Sequence, residues 1–353
     1  MARARTASDA MTDAQHTPSA RRAAIFIVAT GMLLLSACTP PAASRSEPQP
    51  SQDTARSAVI AFGVIGDLPY SRGDERHVPD ILLDMHRVGS RFALHVGDLK
   101  GSVEPCSEAL LARRLNLLQT GPLPLIFTPG DNEWTDCHRL SAGGYEPLDR
   151  LTLLRKLAWP ERSDGSQGRP FLAATDRTRG TLATEHQPGY PENARWRLEG
   201  LHFVTLHVVG SRNGLGQFPG SDAEMATRMK ANAQWLDQTL ALALRERAQG
   251  LVIAFHADPD FGTPPGQGYQ TFQTLLQDAA QRFKGPILLV HGDGHRFRVD
   301  QPLPGPQGHW PQVTRLEAFG WPRSRHWALV TFESGRSPAF KIMAREAESD
   351  RRF

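Results

Sequence analysis

The stretch AVIAFGVIGD, residues 58–67, is apolar until it reaches a glycine and an aspartate. The same pattern, an apolar run followed by glycine and aspartate, occurs twice more. It occurs in RFALHVGD, which ends at Asp98, and in LPLIFTPGD, which ends at Asp131. Helical patterns, VPDILLDMHRVG and SEALLARRLNLLQ, separate the three runs. Apolar strands that alternate with amphipathic helices predict a β-α-β-α-β unit of a layered α/β fold.

The second half of the chain continues the alternation. WRLEGLHFVTLHVVG predicts a hairpin with Glu199 and Gly200 at its turn, and residues 222–247 predict a long helix. LVIAFHADPD predicts a strand that ends at His256, and PILLVHGDGH one that ends at Asp293 and His295. Further helices are predicted in PLDRLTLLRKLAW and YQTFQTLLQDAAQRFKG, and short strands in FRVDQP, TRLEAF, HWALVTFE and AFKIMAR. Residues 160–194 are rich in Gly, Pro, Ser and Thr and predict a long loop. We expect one domain over residues 58–345 and a tail over 346–353.

Composition bounds the function. The chain has 353 residues, with 40 basic and 37 acidic side chains and a net charge of +3. This balance gives no electrostatic case for binding nucleic acid. No GxSxG nucleophile elbow, GxxxxGK[ST] phosphate loop or CxxC pair occurs in the sequence.

The N-terminal segment is typical of an exported protein. Arg21 and Arg22 precede an apolar run over residues 23–35, which ends in LSAC at Cys38. This run is too short to cross a bilayer core of roughly 30 Å as a helix. The LSAC end resembles the lipobox of bacterial lipoproteins. The resemblance implies a signal peptide over residues 1–37, lipidation of Cys38, and a lipid-anchored protein on the periplasmic side of the bacterial envelope. An uncleaved anchor is the alternative, and Met11 is a second candidate start.

The segment after Cys38 is dominated by Pro, Ser, Ala and Gln and predicts a flexible tether over residues 38–57. Export also bears on Cys106 and Cys137, because disulfides persist in oxidising compartments. We predict that they form a disulfide that braces the loops after Asp98 and Asp131; two unconnected thiols are the alternative.

The polar residues at the ends of the apolar runs predict a metal centre. In open α/β sheets, ligands bind outside the carboxyl ends of the strands, so these side chains are expected to converge. Carboxylates gathered at one point repel each other unless cations are present. Asp and His together suit Mn, Fe or Zn, and two such ions can activate a hydroxide and polarise a phosphoryl oxygen. The predicted metal ligands are Asp67, Asp98, Asp131, His256, Asp293 and His295.

This order of residues resembles that of the calcineurin-like metallophosphoesterases. The resemblance covers residues 58 to about 298 and implies a four-layer α-β-β-α sandwich with a two-metal site that hydrolyses phosphoesters. It implies that Asp67 and His295 bind one metal, that Asp98 bridges, and that Asp131, His256 and Asp293 bind the second. The ions would be two divalent ions or a mixed-valence pair.

The sequence departs from the family pattern at three positions. Pro69 stands where the family has a histidine, GDNEW puts Asp131 and Asn132 in place of Asn and His, and GDGH puts Asp293 in place of the first histidine. The four aspartates bring a charge of −4 to two divalent cations. A trivalent ion, a diester substrate or a nearby cation could compensate; the candidate cations are Lys100, Arg212 and Arg296.

Asn132 and Asp98 are the predicted catalytic residues, but an amide cannot supply a proton to a leaving group. Candidate general acids are therefore Asp258, Glu133 and His138. Two residues have two interpretations each. His291 is a ligand or ligand-supporting residue, or else a core histidine, and Trp134 is a loop anchor or a substrate wall.

Two functions follow from these observations. The first is an exported, lipid-anchored hydrolase of phosphomonoesters or phosphodiesters, acting on a phosphorylated small molecule or an envelope component. The alternative is a non-catalytic or weakly catalytic lipoprotein that binds envelope components on the same fold.

Overall fold

The computed structural model describes residues 59–160, 182–262 and 264–348. The predicted signal peptide, Cys38 and the tether lie outside the described residues. Within the described ranges, no helix combines the length and the apolar character needed to cross a membrane.

The first sheet has five strands in the order β14-β13-β1-β2-β3. The strands β1, β2 and β3 pair in parallel, β13 pairs antiparallel with β1, and β14 pairs antiparallel with β13. Their bounds are Ile60–Ile65 (β1), Ala93–His95 (β2), Leu125–Phe127 (β3), His326–Phe332 (β13) and Phe340–Glu346 (β14).

The second sheet has seven strands in the order β4-β5-β6-β7-β8-β12-β9. Its centre, β6, β7, β8 and β12, is parallel, and β4-β5-β6 and β12-β9 are antiparallel. The strands are Thr184–Gln187 (β4), Tyr190–Leu198 (β5), Leu201–Thr205 (β6), Gly250–Ala254 (β7), Ile287–His291 (β8), Arg298–Asp300 (β9) and Val313–Glu317 (β12). A separate two-stranded ribbon joins Pro304–Gly305 (β10) and Gly308–His309 (β11).

The helices are Arg72–Glu75 (α1), His77–Arg87 (α2), Glu108–Leu118 (α3), Pro147–Ala158 (α4), Gly210–Asn213 (α5), Ser221–Arg245 (α6) and Gln270–Arg282 (α7). Helix α2 shows why they form, because Val78, Ile81, Leu82 and Met85 are buried at the spacing of one helical face. Short 3-10 turns cover Thr135–His138 and Leu140–Ala142.

Three apolar cores separate four layers. The inner core lies between the sheets, where Phe62 and Val64 of β1 meet Val252 of β7 and Val290 of β8. A second core packs α2, α3 and α4 on the five-stranded sheet, and a third packs α6 and α7 on the seven-stranded sheet. Sheets that bury both faces need this arrangement of helices outside and sheets inside. The predicted α-β-β-α sandwich is confirmed.

The predicted long loop is wrong in part. Residues 161–181 lie outside the described residues, but Thr184–Gln187 and the start of Tyr190–Leu198 are paired strands. The first of these strands is an edge strand with no apolar face, so its composition gives no strand signal. The predicted hairpin with its turn at Glu199 and Gly200 is present.

An ion pair with a fully buried carboxylate joins the helical layer to the second sheet. Glu192 of β5 accepts hydrogen bonds from Arg155 Nε at 3.0 Å and from His207 Nδ1 at 2.8 Å. Burial by itself raises the pKa of Glu192, but the hydrogen bond from His207 and the charge of Arg155 outweigh it and lower that pKa to about 2.

Candidate metal centre

The predicted ligands meet at one edge of the two sheets. Asp67, Asp98 and Asp131 follow the carboxyl ends of β1, β2 and β3, while His256 and Asp293 follow those of β7 and β8. Parallel strands that carry their polar residues at the same end bring residues from distant parts of the chain together. The loops also interlock, since Asp67 N donates to Gly97 O at 2.9 Å.

Two groups of three side chains have the geometry of a cation site. Asp67, Asp98 and His256 form one, and Asp131, His256 and Asp293 form the other. Within each group, the ligand atoms lie within 4.8 Å of one another. His295 stands outside both groups, with Nε2 3.3 Å from Asp67 Oδ1.

The two histidines present the nitrogen that a cation would need. His256 Nδ1 lies 2.7 Å from Val96 O, and His295 Nδ1 lies 3.0 Å from Trp321 O. Because a carbonyl only accepts, each Nδ1 carries a proton, and in the neutral imidazole each Nε2 keeps the lone pair that a cation needs. In the protonated imidazolium form, His256 Nε2 donates to Asp131 Oδ1 at 3.1 Å. A backbone carbonyl that fixes the tautomer of a histidine is the usual support of a metal ligand.

The backbone at the centre is held in an unfavourable conformation. Four of the six predicted ligands have positive φ: Asp67 at 53°, Asp98 at 59°, Asp293 at 71° and His295 at 58°. Such conformations are uncommon for residues other than glycine and cluster at functional sites. Here they turn each side chain back towards the edge where the strands end.

The electrostatics fit positively charged ligands. Burial and the charges of neighbouring carboxylates raise the pKa of Asp98 well above its ordinary value, and burial and Asp131 raise the pKa of Asp293 to about 7. Burial lowers the pKa of His256, but Asp98 and the hydrogen bond to Asp131 raise it overall. Carboxylates that resist ionisation beside each other are relieved when cations bind among them.

Asn132 and Glu133 hold two ligand loops together. Asn132 Nδ2 donates to Asp98 Oδ2 at 2.6 Å, and its backbone nitrogen donates to Asp98 Oδ1 at 3.0 Å. The fully buried Glu133 accepts from Gly130 N at 2.7 Å, from Asp98 N at 3.3 Å and from Leu99 N. The carboxylate of Glu133 therefore faces backbone amides, a positioning role and not that of the general acid considered above.

Tyr70 belongs to the centre, although the sequence reasoning did not select it. Its hydroxyl lies 2.9 Å from Asp98 Oδ2, 3.3 Å from Asp67 Oδ1 and 3.1 Å from His295 Nε2. Burial and the charges of Asp98 and Asp67 raise its pKa well above the ordinary value. The available signal was Pro69, because the residue after it is the next side chain able to reach the position of the missing histidine.

A second contributor arrives from the loop after β6. Ser211 Oγ lies 2.8 Å from Asp131 Oδ2 and 2.9 Å from Asp136 Oδ1. Gly210 precedes it, and a Cβ atom there would lie 2.6 Å from Asp131 Oδ1 and 2.8 Å from Asp293 Oδ1. Only glycine permits this close approach of backbone to ligand.

The remaining candidates lie around the centre in different roles. Lys100 is buried and donates to Gly101 O at 3.0 Å, and Arg212 donates to Gln267 Oε1 at 3.4 Å. Asp258 pairs with Arg298 at 2.9 Å, while its backbone nitrogen donates to Asp293 Oδ2 at 3.0 Å. The two other candidates are Arg296, which is exposed, and His138, whose Nδ1 donates to Thr135 O at 2.7 Å.

Two open interpretations have structural answers. His291 is fully buried, stacks on Phe255 with a centroid distance of 5.4 Å and donates from Nδ1 to Gly292 O, as a core histidine does. Trp134 is fully buried against His207, at a centroid distance of 5.4 Å, and therefore anchors its loop.

The predicted disulfide is confirmed. Cys106 and Cys137 are bonded, with their Cα atoms 5.7 Å apart and a sequence separation of 31. Both cysteines are buried. The bond ties the loop that follows Asp98 to the turn that follows Asp131, so the two ligand loops are linked covalently as well as by Glu133.

Comparison with known proteins gives partial and weak likenesses. No family model matches the chain. An S-adenosylmethionine:tRNA ribosyltransferase-isomerase of Parasynechococcus marenigrum is 28% identical over 151 residues, 42% of this chain and 35% of that protein. A Synechococcus protein of the same name is 29% identical over 155 residues. The chain spans about a third of the length of these curated relatives.

Solved structures similar to the chain include a dimetal phosphatase of Danio rerio, with a TM-score of 0.45, 13% identity, and coverage of 82% of this chain and 99% of that one. A Thermus thermophilus protein has a TM-score of 0.44 and 12% identity, with coverage of 82% of this chain and 100% of that one. The NAD nucleotidase of Haemophilus influenzae has a TM-score of 0.42 and 13% identity, with coverage of 82% of this chain and 49% of that one. Because these TM-scores and identities are low, the assignment of the fold and of the candidate metal centre is based on the geometry of the chain itself.

Proposed function

We propose that the protein is a metal-dependent hydrolase of phosphoesters. The observation that carries the proposal is the pair of three-residue groups, Asp67-Asp98-His256 and Asp131-His256-Asp293, whose ligand atoms lie within 4.8 Å of one another. Buried carboxylates with two imidazole Nε2 atoms suit Mn, Fe or Zn. When bound, such ions supply an activated water and polarise a phosphoryl oxygen.

The residues of the chain have distinct tasks in this proposal. Asp98 would be shared between the two ions, Asp67 and His295 would hold one of them, and Asp131, His256 and Asp293 the other. His256 belongs to both three-residue groups. Asn132 donates to Asp98 Oδ2 and fixes the orientation of that carboxylate. Tyr70 presents its hydroxyl among Asp67, Asp98 and His295, where Pro69 leaves no ligand.

The test is hydrolysis of mono- and diester substrates by the purified protein after addition of Mn, Fe, Zn or Ca. We expect D98N to lower kcat/KM by at least about 100-fold with the fold intact, because the charge of Asp98 would help to hold both ions. The matched control is D84N, since Asp84 accepts a hydrogen bond from Trp327 on the opposite side of the first sheet. Full activity in D98N would refute the proposal.

The alternative, a binding lipoprotein, has its own support in Pro69 and in a centre that two divalent ions would leave near neutral. Metal content separates the two functions. About two transition-metal equivalents per chain, with hydrolysis, support the enzyme. A chain with no metal or only calcium, and no hydrolysis of any ester, supports the binding protein.

We also propose that the protein is lipid-anchored on the periplasmic side of the bacterial envelope and acts on a phosphorylated small molecule or envelope component. The support is the run that ends in LSAC at Cys38 and the polar tether after it. Cells that express the chain should incorporate labelled palmitate into it, and C38S should abolish the label and release the protein from membranes. Equal labelling of both forms would contradict the anchor.

A further inference from the structure

The segment after β12 packs directly on the candidate centre. Trp321 N donates to Asp67 O at 3.2 Å, and Trp321 O accepts from His295 Nδ1 at 3.0 Å. Gly320 before it lies so close that a Cβ atom there would be 2.7 Å from Asp67 Cβ and 2.8 Å from His295 Cδ2. The backbone of Trp321 is therefore fixed by two predicted metal ligands.

The side chain of Trp321 is solvent-exposed, whereas its backbone is hydrogen-bonded to the predicted ligands. It is 50% exposed, whereas the five fully buried tryptophans of the described chain are at most 5% exposed. Among the described residues, its ring stacks on no aromatic side chain and no cation lies over it. The backbone holds this indole next to the candidate metal centre, and half of its surface is exposed to solvent. Such an exposed aromatic face can stack on a bound ligand.

Positive charge flanks this tryptophan. Arg296 directly follows His295, and Arg323 lies two residues after Trp321; both are exposed. In the described part of the chain neither forms an ion pair with a carboxylate, whereas Arg298 and Arg315 nearby are paired with acidic side chains. The guanidinium of Arg323 lies over the ring of Phe319 at 5.8 Å from the centroid. Two exposed guanidinium groups that no carboxylate neutralises, one next to His295 and one near Trp321 in the sequence, match together with the indole a ligand that has both negative charge and a planar ring.

We propose that Trp321 stacks on the aromatic group of the phosphoester and so selects aromatic esters, nucleotides or aryl phosphates, over small aliphatic ones. The inference rests on the proposed function and gives its site a substrate class. Stacking of a base on an aromatic side chain contributes about 1–3 kcal/mol and accepts any base, because every base has an aromatic face. Truncation of Trp321 is therefore expected to lower the affinity for an aromatic ester roughly tenfold or more.

The experiment compares the full chain with W321A and W321F on three substrates: adenosine monophosphate, p-nitrophenyl phosphate and glycerol phosphate. We expect W321A to lower kcat/KM about tenfold or more for the aromatic esters, mainly through KM, and less than about twofold for glycerol phosphate. W321F should recover most of the loss. Loss for p-nitrophenyl phosphate without loss for the nucleotide would identify aryl esters as the class, and the reverse would identify nucleotides. An equal loss on all three substrates, or none, would overturn the proposal.

A binding measurement keeps this inference separate from the proposed function. Adenosine monophosphate should quench the fluorescence of the metal-loaded wild type, and W321F should lose the quenching while its thermal midpoint is unchanged. Quenching that depends on Trp321 would support the inference even if no ester is hydrolysed, and quenching that persists in W321F would overturn it. The control is L140A, because Leu140 is 94% exposed and lies outside the centre.

Discussion

The contacts of Glu133 allow a strong prediction about how the centre is built. Its carboxylate is fully buried and accepts hydrogen bonds from the backbone nitrogens of Gly130, Asp98 and Leu99, on two different ligand loops. In E133A, three buried donors lose their acceptor. At about 1–3 kcal/mol for each unsatisfied group, the free energy of unfolding should fall by at least about 3 kcal/mol.

E133Q distinguishes hydrogen bonding from charge. A glutamine keeps one acceptor oxygen and turns an NH₂ group towards backbone N–H groups, so we expect a loss of about 1–3 kcal/mol. The opposing effect is relief of repulsion, because Glu133 lies beside the buried carboxylate of Asp98, whose pKa is raised by burial and neighbouring charges. If repulsion dominates, E133Q becomes more stable than the wild type in the metal-free protein.

Urea unfolding followed by circular dichroism measures both variants. A loss of 3 kcal/mol should lower the urea midpoint by about 1 M at the slope of a chain of this size. E333A is the matched control, since the half-buried Glu333 has the exposed Arg336 as its ion-pair partner, and its midpoint should not move. A midpoint for E133A equal to that of the wild type, or an E133Q variant that gains stability, would refute the idea that Glu133 fastens the two loops.

Three further outcomes are expected. C106S/C137S should lose roughly 3–4 kcal/mol of unfolding free energy in denaturant titrations, because the bond closes a loop of 31 residues; an unchanged midpoint would contradict this. Glu192 has a pKa lowered from 4.5 to about 2, so its stabilisation is complete above pH 4.5 and should be lost as the pH falls towards 2, by about 3 kcal/mol; an E192Q variant with the same acid sensitivity would disprove it. G210A should weaken metal binding in calorimetric titrations by at least about tenfold, since its methyl group would meet two ligand oxygens, whereas G73A, with its nearest neighbour 3.4 Å away, should not; equal affinities would count against the close approach.

The strand-end pattern predicted much of the centre because it depends on topology alone. A glycine and an aspartate after a buried parallel strand must lie at the carboxyl edge of the sheet, whatever the neighbouring loops do. Asp67, Asp98 and Asp131 were therefore accessible from sequence, and so was the disulfide that follows from their proximity. The layered fold was accessible for the same reason, since strands buried on both faces require helices outside.

Ser211 and Trp321 could not be predicted in this way. Ser211 lies in a loop of the second sheet, with φ of 49°, and reaches a ligand of the first sheet across the centre. Trp321 depends on hydrogen bonds between backbone atoms of distant segments. Neither contact produces a recognisable residue spacing in the sequence, because each contact forms only when the two sheets pack together.

Two of the positions at which the sequence differs from the metallophosphoesterase pattern that it resembles are linked through Asp98. Pro69 offers no ligand atom, and the hydroxyl of Tyr70 after it lies near Asp67 and Asp98. Asn132 offers an amide, which orients Asp98 and cannot supply a proton to a leaving group. On the proposed function, a centre with four carboxylates and no proton donor at position 132 would favour esters whose leaving group needs little protonation. Its affinity would then not depend on charge attraction alone, and the proposed stacking on Trp321 would supply the other source of affinity.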